Sequence, residues 1–399
     1  MAENKTIDQI TKELNKKFGD EKHKVAQLGV DILPEGNNLS LGSPGLDYCL
    51  YNNLQEKRFI EIFGGEGSGK TSLAYLIAGN FQRKELDRHP DNPRHILFVD
   101  CEHTADPIWA ANMGYDMSET AVVPTDYFAP LDMNAEDIFD YIRDYIKTDM
   151  VGLIILDSIP MLVGKQVYDE SFGQKEFGGI AKVLTTFVAR VTSLLKQYDC
   201  TFIGINDPKD NIGGYGLPYV TPGGHQWKHA CSVRLMIKRG DFLDENYEKL
   251  TTSAESPAAY RMDMAVCKTK VCRWDRKLGS TIVSYTDGID VLQDTIDTAI
   301  KIGLIDSSTQ GSYKLIDPDT GEILLDADGN EIKIRGKKNV KPYFKEHIDL
   351  YRKLYDKVYE MISRKDDSDR RAFEAMMNMN KASEEVFGFD LNAAGVEDI

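Results

Sequence analysis

Short apolar runs alternate with longer amphipathic segments between residues 57 and 206. A short apolar run bounded by turn residues predicts a buried strand, and a longer segment with helical periodicity predicts a helix. The predicted strands are residues 59–63, 95–100, 153–157 and 201–206, and the predicted helices are residues 71–83, 134–148 and 179–198. Strands that alternate with helices favour an α/β fold with a mostly parallel sheet, whose ligands bind beyond the carboxyl ends of the strands.

An amphipathic helix is predicted near the N-terminus, over residues 6–18. Its apolar residues recur on one face and are Ile7, Ile10, Leu14 and Phe18. A polar stretch separates this helix from the core, so the apolar face must pack on the same chain or on a neighbouring subunit. We therefore expect residues 1–38 to be a helix and linker that serve subunit association.

Beyond residue 213 the pattern changes to apolar runs without long helices between them. These runs predict strands that extend the sheet, in part antiparallel, at residues 232–238, 262–268 and 281–285. We expect one core domain over residues 39–297 to contain the whole sheet.

The last hundred residues have a third pattern. Turn-rich segments at 317–322 and 326–331 bracket short apolar runs, and a charged helix is predicted over residues 343–363. We expect residues 298–399 to form a small α+β domain with an acidic tail.

Composition narrows the class of protein. The chain has 399 residues, 42% of them hydrophobic, which is enough for one large core and small additions. Its longest apolar runs fall far short of the roughly 18 residues that a membrane helix needs, and its N-terminus lacks an apolar signal segment. Six scattered cysteines form no CxxC pair, which favours a reducing compartment. We expect a cytoplasmic protein without membrane partners.

The formal net charge of −16 argues against a surface that is basic overall, as nucleic-acid-binding proteins usually have. Charge is nevertheless segregated along the chain. Between residues 261 and 277 six cations outnumber two acids, Asp263 and Asp275. The cations are Arg261, Lys268, Lys270, Arg273, Arg276 and Lys277. A local DNA-binding surface therefore remains possible.

A glycine-rich segment after the first predicted strand has the form G-x-x-x-x-G-K-[ST], the Walker A pattern. Between a strand and a helix, such a loop turns its backbone N–H groups toward the phosphates of a nucleotide. Lys70 is expected to reach the β- and γ-phosphates, and the Thr71 hydroxyl to bind Mg²⁺. The residues predicted to bind ATP are Gly64, Gly65, Glu66, Gly67, Ser68, Gly69, Lys70, Thr71 and Ser72. The alternative, an accidental glycine-rich turn, does not explain the flanking strand and helix.

Acidic residues follow two other predicted strands. Asp157 ends an apolar strand and is expected to hold the Mg²⁺, as the partner acid of a phosphate loop does. Glu102 follows the strand that ends at Asp100, and we expect it to be the base that activates water. Two alternatives stay open: Glu102 could only cap the following turn, or Asp100 could be the base.

Several segments together resemble the bacterial RecA and tailed-phage UvsX recombinases. They are residues 39–47, 98–109 and 222–235 and the sequence Lys268-Thr-Lys270, and the similarity extends over residues 36–300. The last hundred residues look closer to the phage branch. The resemblance implies a RecA-like P-loop NTPase core and a DNA-dependent ATPase that uses ATP and Mg²⁺. It also implies a helical filament on single-stranded DNA, which pairs with double-stranded DNA and exchanges strands in recombination and repair. Single-strand-binding and loader proteins would be its partners, in a host cytoplasm if a phage encodes it.

The resemblance also assigns roles to individual residues. It makes Glu102 the catalytic base and places Asp106 and Trp109 beside the adenine. Lys268 and Lys270 would reach the ATP phosphates of a neighbouring subunit and act there with Lys70 in catalysis.

The chain departs from the bacterial pattern at one position. Bacterial RecA has Asn-Gln at the end of the strand before the second DNA loop, and the glutamine senses the γ-phosphate. Here the pair is Asn206-Asp207, and an acid repels phosphate unless Mg²⁺ or a lysine lies between them. Asn206 is therefore the residue expected to contact the nucleotide, and the chain lacks the glutamine that links ATP to DNA affinity in the bacterial pattern.

Two poorly patterned, glycine-bearing segments, 164–178 and 207–224, follow strands of the ATP site. They carry cations beside aromatic residues, which suits the phosphates and bases of a single strand. With the residues at the end of the second loop, the predicted DNA contacts are Lys165, Phe172, Lys175, Phe177, Gly178, Lys209, Tyr215, Tyr219, Gly223, Gly224, Lys228 and Arg234. The alternative is a lid over ATP.

Two other functions remain compatible with these motifs. A RecA-fold helicase or translocation motor would form a hexameric ring. A filament regulator that does not exchange strands would bind ATP with little turnover.

Overall fold

A computed structural model describes residues 7–18, 38–169, 179–210, 219–309, 311–317, 320–325 and 329–363. Residues 38–363 form one compact unit, and the first helix belongs to a second. The helices are α1 (Ile7–Phe18), α2 (Pro44–Asp47), α3 (Lys70–Arg88), α4 (Pro107–Asn112), α5 (Ala135–Ile146), α6 (Lys165–Tyr168), α7 (Gly179–Gln197), α8 (Gly224–Ala230), α9 (Val291–Lys301), α10 (Val340–Glu346) and α11 (Ile348–Ser363). None of the helices described is both long and apolar enough to span a membrane.

The strands are β1 (Asn38–Leu39), β2 (Leu54–Gln55), β3 (Phe59–Phe63), β4 (His95–Asp100), β5 (Thr125–Phe128), β6 (Val151–Asp157), β7 (Thr201–Asn206), β8 (Lys209–Asp210), β9 (Tyr219–Val220), β10 (Val233–Leu243), β11 (Ala259–Thr269), β12 (Leu278–Ser284), β13 (Gly288–Ile289), β14 (Ile305–Asp306), β15 (Ser312–Leu315) and β16 (Lys333–Arg335). Nine of them form one sheet in the order β13-β12-β11-β10-β3-β7-β6-β4-β5. Strands β10, β3, β7, β6, β4 and β5 are parallel, and β11, β12 and β13 are antiparallel to their neighbours. The predicted α/β fold with a mostly parallel sheet is confirmed.

Helices cover both faces of the sheet. Successive side chains of a strand point to opposite faces, so in the central strands β3, β7 and β6 all of them are buried. In β6, Leu153 and Ile155 pack into the core that contains α3. Ile154 and Leu156 pack on the other face, in a core formed with α5 and α7. This double burial explains why the parallel strands appear in the sequence as continuous apolar runs.

The parallel strands bring their carboxyl ends to one edge of the sheet. Asp100 of β4 lies beside Asp157 of β6, and Phe63 of β3 lies beside Asn206 of β7. The chain segments that leave these four strands carry the predicted site residues. The fold therefore gathers motifs that are far apart in sequence.

A third core contains α9, α10, α11 and the three-stranded sheet β14-β15-β16. The helix predicted over residues 343–363 is in fact two helices. His347 separates them in a non-helical conformation, and its ring Nδ1 donates to the Tyr343 carbonyl over 2.8 Å, which ends α10. The domain boundaries expected at residues 38 and 297 stay predictions.

Candidate active site

The glycine-rich loop joins the end of β3 to the start of α3. Gly69, the residue before the helix, has φ +98°, a conformation that side-chain-bearing residues rarely adopt. A Cβ at Gly64 would lie 2.1 Å from the Ile237 carbonyl oxygen, so only glycine lets the loop pass this close to β10. The path of the loop therefore requires glycine at positions 64 and 69.

A cleft of about 740 Å³ opens beside the loop. The described residues that line it are Gly65, Glu66, Gly67, Ser68, Gly69, Lys70, Thr71, Ser72, Glu102, Trp109, Asp157, Asp207, Pro208, Arg239, Tyr260 and Tyr285. The Ser68 hydroxyl is buried and has no hydrogen-bond partner among the described residues. A buried polar group without a partner is costly, so this hydroxyl is suited to a ligand such as a phosphate.

Lys70 lies in the cleft beneath the loop. Its ammonium donates to the carbonyl oxygens of Gly64 and Gly65, each over 3.0 Å. It also forms an ion pair of 2.7 Å with the Asp207 carboxylate. The lysine is thus held at the loop and already faces an anion.

Thr71 and Asp157 offer a pair of oxygen atoms on the floor of the cleft. The Thr71 hydroxyl donates to Asp157 Oδ2 over 2.8 Å. Burial, together with the nearby carboxylates of Glu102 and Asp100, raises the pKa of Asp157 to about 7. Hard oxygen donors are the ligands that Mg²⁺ prefers, so these two side chains could hold that ion together with phosphate and water. In the part of the chain described, no group of three or more His, Cys, Asp or Glu side chains is arranged to hold a metal.

Glu102 and Asp100 lie in different surroundings. The Asp100 carboxylate is buried and accepts hydrogen bonds from the Ala105 N–H over 2.9 Å and the Tyr127 hydroxyl over 2.8 Å. Glu102 lines the cleft, where it accepts a hydrogen bond from the Ser158 hydroxyl. A carboxylate that faces the cleft is better placed to activate water than one enclosed by protein donors.

Trp109 and Asp106, predicted to lie beside an adenine, take different positions. Trp109 lines the cleft, and its indole N–H donates to the Ser72 hydroxyl over 2.9 Å. The Asp106 carboxylate caps α4 by accepting from the N–H groups of Ile108 and Trp109, at 2.9 and 3.0 Å. Asp106 is not among the lining residues, and its carboxylate serves as a helix cap.

Three lining residues come from the antiparallel side of the sheet and have no motif in the sequence. The rings of Tyr260 and Tyr285 lie 5.4 Å apart, and a Cβ at Gly67 would lie 3.4 Å from the Arg239 guanidinium. Arg239 reaches the loop because β10 runs parallel to β3, with Met236 beside Phe63. The only sequence signal for Arg239 is the predicted strand that ends at residue 238. That strand indicates a position beside the loop only once its pairing with β3 is known.

Asn206 lies outside the cleft lining and belongs to a buried polar network. Its amide donates to Glu61 over 2.7 Å and to the Pro222 carbonyl over 3.0 Å. The fully buried Glu61 carboxylate also accepts from the Trp227 indole over 3.0 Å and pairs with Arg234. The network connects the end of β7 to the chain that follows the second predicted DNA loop.

The predicted DNA contacts are only partly described. Phe172, Lys175, Phe177, Gly178 and Tyr215 lie outside the described residues. The others lie at the ends of the two segments or just beyond. Lys165 begins α6, Lys209 is in β8, and Tyr219 is in β9, where its ring lies 5.8 Å from that of Phe63. Gly223 and Gly224 begin α8, Lys228 lies within α8, and Arg234 is in β10.

Lys268 and Lys270 do not line their own chain's cleft. The Lys268 ammonium donates to the carbonyls of Lys228 and His229, and the Lys270 ammonium to that of His229 over 2.6 Å. Burial, with the adjacent Lys270, lowers the pKa of Lys268. Both cations thus lie at the C-terminal end of α8, where carbonyl groups favour positive charge.

The RecA N-terminal domain family matches residues 5–290, which include every element of this cleft. The chain belongs to the RecA family. Among curated members it is 28% identical to Protein RecA of a Nitratiruptor species over 359 residues, 89% of this chain and 92% of that one. It is likewise 28% identical to Protein RecA of Wolinella succinogenes, over 91% of this chain and 93% of that one, and of Paracoccus denitrificans, over 89% of each. The likeness to RecA proteins thus spans both cleft and C-terminal region.

Proposed function

We propose that this chain is a DNA-dependent ATPase that forms a helical filament on single-stranded DNA and promotes homologous pairing and strand exchange. The observation that carries the proposal is the cleft. Lys70, the Thr71–Asp157 pair and Glu102 all converge on the glycine-rich loop. These are the parts that phosphoryl transfer to water needs, in a member of the RecA family.

In this proposal the loop holds the phosphates of ATP with its backbone N–H groups, the Ser68 hydroxyl and the Lys70 ammonium. Thr71 and Asp157 would hold a Mg²⁺, which would supply positive charge to neutralise the negative charge that develops on the phosphates. Glu102 accepts a proton from the attacking water, whose oxygen bonds to the γ-phosphorus as the bond to ADP breaks. The hydrogen bond from Ser158 fixes the carboxylate in place.

The aromatic side chains of the cleft suit the adenine of ATP. Trp109 is fixed by its bond to Ser72, and Tyr260 and Tyr285 form a second aromatic surface. Flat apolar faces with few polar groups are typical of base sites.

Helix α7 offers a surface for DNA that the sequence motifs do not reveal. Lys182 and Arg190 are exposed, and neither has an ion-pair partner within the described residues. They lie eight residues apart, about 12 Å along the axis at the rise of an α-helix. Because α7 follows the first predicted loop directly in the sequence, these cations extend the DNA surface proposed for residues 164–178.

Assembly completes the proposal. On α1, Ile10 and Leu14 are 44% and 38% exposed, which suits packing against a second copy of the chain. Lys268 and Lys270, absent from their own cleft, would serve the cleft of that neighbour. A head-to-tail contact of this kind repeats as an open helix. Closeness to the phage UvsX branch, and the loader and single-strand-binding partners that it implies, are part of this proposal.

Electron microscopy with a slowly hydrolysed ATP analogue, with and without single-stranded DNA, tests the assignment. We expect helical filaments with DNA and analogue, strand exchange in a parallel assay, and neither for Lys70→Ala. Closed rings would favour the helicase or motor. Filaments without ATP turnover or strand exchange would favour the filament regulator.

A further inference from the structure

The charges in the cleft are unusual for a site that binds a polyanion. Four lining residues carry carboxylates and two carry cations; they are Glu66, Glu102, Asp157, Asp207, Lys70 and Arg239. The cation at the loop, Lys70, is itself paired with one of the four acids. A nucleotide therefore competes with protein carboxylates for positive charge.

The hydrogen bonds of Lys70 show which protein groups a nucleotide must compete with. An ammonium group has three N–H donors. The Lys70 ammonium has three partners: the carbonyl oxygens of Gly64 and Gly65 at 3.0 Å each and the Asp207 carboxylate at 2.7 Å. A phosphate oxygen can accept a hydrogen bond from Lys70 only if one of these three partners gives up its own.

Asp207 is the partner that can leave. The two carbonyls belong to the loop backbone, and a Cβ at Gly64 would already collide with β10. The Asp207 side chain is 42% exposed, against 12% for Lys70, so water can solvate the carboxylate when it turns away.

We propose that Asp207 is an internal competitor for the Lys70 ammonium, which the phosphates of the nucleotide displace when they bind. The inference rests on the proposed ATP site and concerns how that site sets its affinity. The displaced carboxylate stays close to the phosphates and repels them, so Asp207 weakens nucleotide binding in two ways. A cation at the phosphates, such as Mg²⁺, offsets that repulsion.

The displacement also reaches the second predicted DNA segment. The Asp207 N–H donates to Asn206 Oδ1 over 3.0 Å, and the Asn206 amide donates to the Pro222 carbonyl over 3.0 Å. Asp207, which begins the predicted segment 207–224, and Pro222, near its end, therefore both bond to one buried asparagine. When the Asp207 carboxylate leaves Lys70, the first residue of the segment loses its contact with the loop.

The test is the affinity for a fluorescent mant-ATP in the presence of Mg²⁺, for the wild type and for Asp207→Asn and Asp207→Ala. Both variants should bind roughly tenfold more tightly, which is about 1.4 kcal/mol. Glu66→Gln is the matched control, because it removes one carboxylate from the same cleft, where Glu66 has no described contact with Lys70. Its effect should be clearly smaller. In a Lys70→Ala background, the gain from Asp207→Asn should be clearly smaller, since no ammonium is left to compete for and only the repulsion of the phosphates is relieved.

Three outcomes would overturn the inference: unchanged or weaker binding by both Asp207 variants, an equal gain for Glu66→Gln, or an equal gain without Lys70. The second would show a general charge effect. Failure of the wild type and all variants to bind mant-ATP would instead overturn the proposed ATP site, and the inference with it. Thermal unfolding close to that of the wild type confirms that the Asp207 variants are folded.

Discussion

Thr71 and Asp157 share a hydrogen bond of 2.8 Å although 86 residues separate them in the chain. Thr71 lies in the first turn of α3, and Asp157 is the last residue of β6. The bond brings a hydroxyl and a buried carboxylate to one point of the cleft floor. It is the feature that favours a Mg²⁺ site here over a phosphate site alone.

Asp157→Asn tests that site, because asparagine keeps an acceptor for Thr71 and removes the charge. We expect ATP hydrolysis to fall by at least about a hundredfold, since the stabilisation of phosphate charge is worth several kcal/mol. Thermal unfolding provides a readout besides activity. ATP with Mg²⁺ should stabilise the wild type more than ATP with a chelator, and this difference should vanish in the variant. A variant that still responds to Mg²⁺ would exclude Asp157 as a ligand.

Glu102→Gln separates binding from hydrolysis. Glutamine keeps the shape and the bond from Ser158 but cannot accept a proton, so turnover should fall by roughly 10²- to 10⁴-fold while mant-ATP affinity stays near that of the wild type. Ser158→Ala is the control, because it removes the bond and leaves the base; its loss should be much smaller. Normal hydrolysis by Glu102→Gln would mean that Asp100 or a water relay, and not Glu102, accepts the proton of the attacking water.

The strands and the loop could be predicted because their signals are local. Phe59–Phe63, His95–Asp100 and Thr201–Asn206 have the predicted bounds, since each is an apolar run that ends in turn or polar residues. The glycine-rich loop needs only the strand before it and the helix after it. Local patterns of this kind also placed Lys70 and Thr71 in the cleft.

Arg239, Tyr260 and Tyr285 could not be predicted in the same way. They reach the cleft through the pairing of β10 with β3, of β11 with β10 and of β12 with β11, and periodicity does not determine which strands become neighbours. Asp207 shows a related limit. Its repulsion toward phosphate followed from the sequence, but its contact with Lys70 depends on how β7 ends relative to the loop.

Lys268→Ala combined with Lys270→Ala should spare mant-ATP binding and abolish DNA-stimulated hydrolysis, because neither lysine lines its own cleft. A mixing experiment tests the shared site directly. In mixed filaments, Glu102→Gln chains, which keep their ATP affinity, supply intact lysines to the intact clefts of the double variant, so the mixture should regain activity that neither protein has alone. No recovery in filaments shown to contain both chains would argue that the lysines only stabilise the end of α8.

The buried carboxylate of Asp294 joins the third core to the chain before the glycine-rich loop. Its Oδ2 accepts from the Ser43 hydroxyl at 2.5 Å and from the Gly45 N–H at 3.2 Å. Burial raises the pKa of Asp294 to about 7, despite the two hydrogen bonds, which lower it. The folded state therefore favours the protonated acid.

An acid with a raised pKa stabilises the fold below its pKa in the unfolded chain, close to 4, and loses that contribution as the pH rises through about 7. Asp294→Asn keeps an acceptor for Ser43 and Gly45 and cannot ionise. Relative to the wild type, the variant should gain roughly 1–3 kcal/mol in free energy of unfolding between pH 5 and pH 8. Urea unfolding of both proteins at the two pH values measures this gain. Asp349→Asn on α11, where Asp349 forms an exposed ion pair with Arg352 at 3.4 Å, controls for loss of a charge alone. A gain of equal size in that control would mean that the buried contact with Ser43 is not its source.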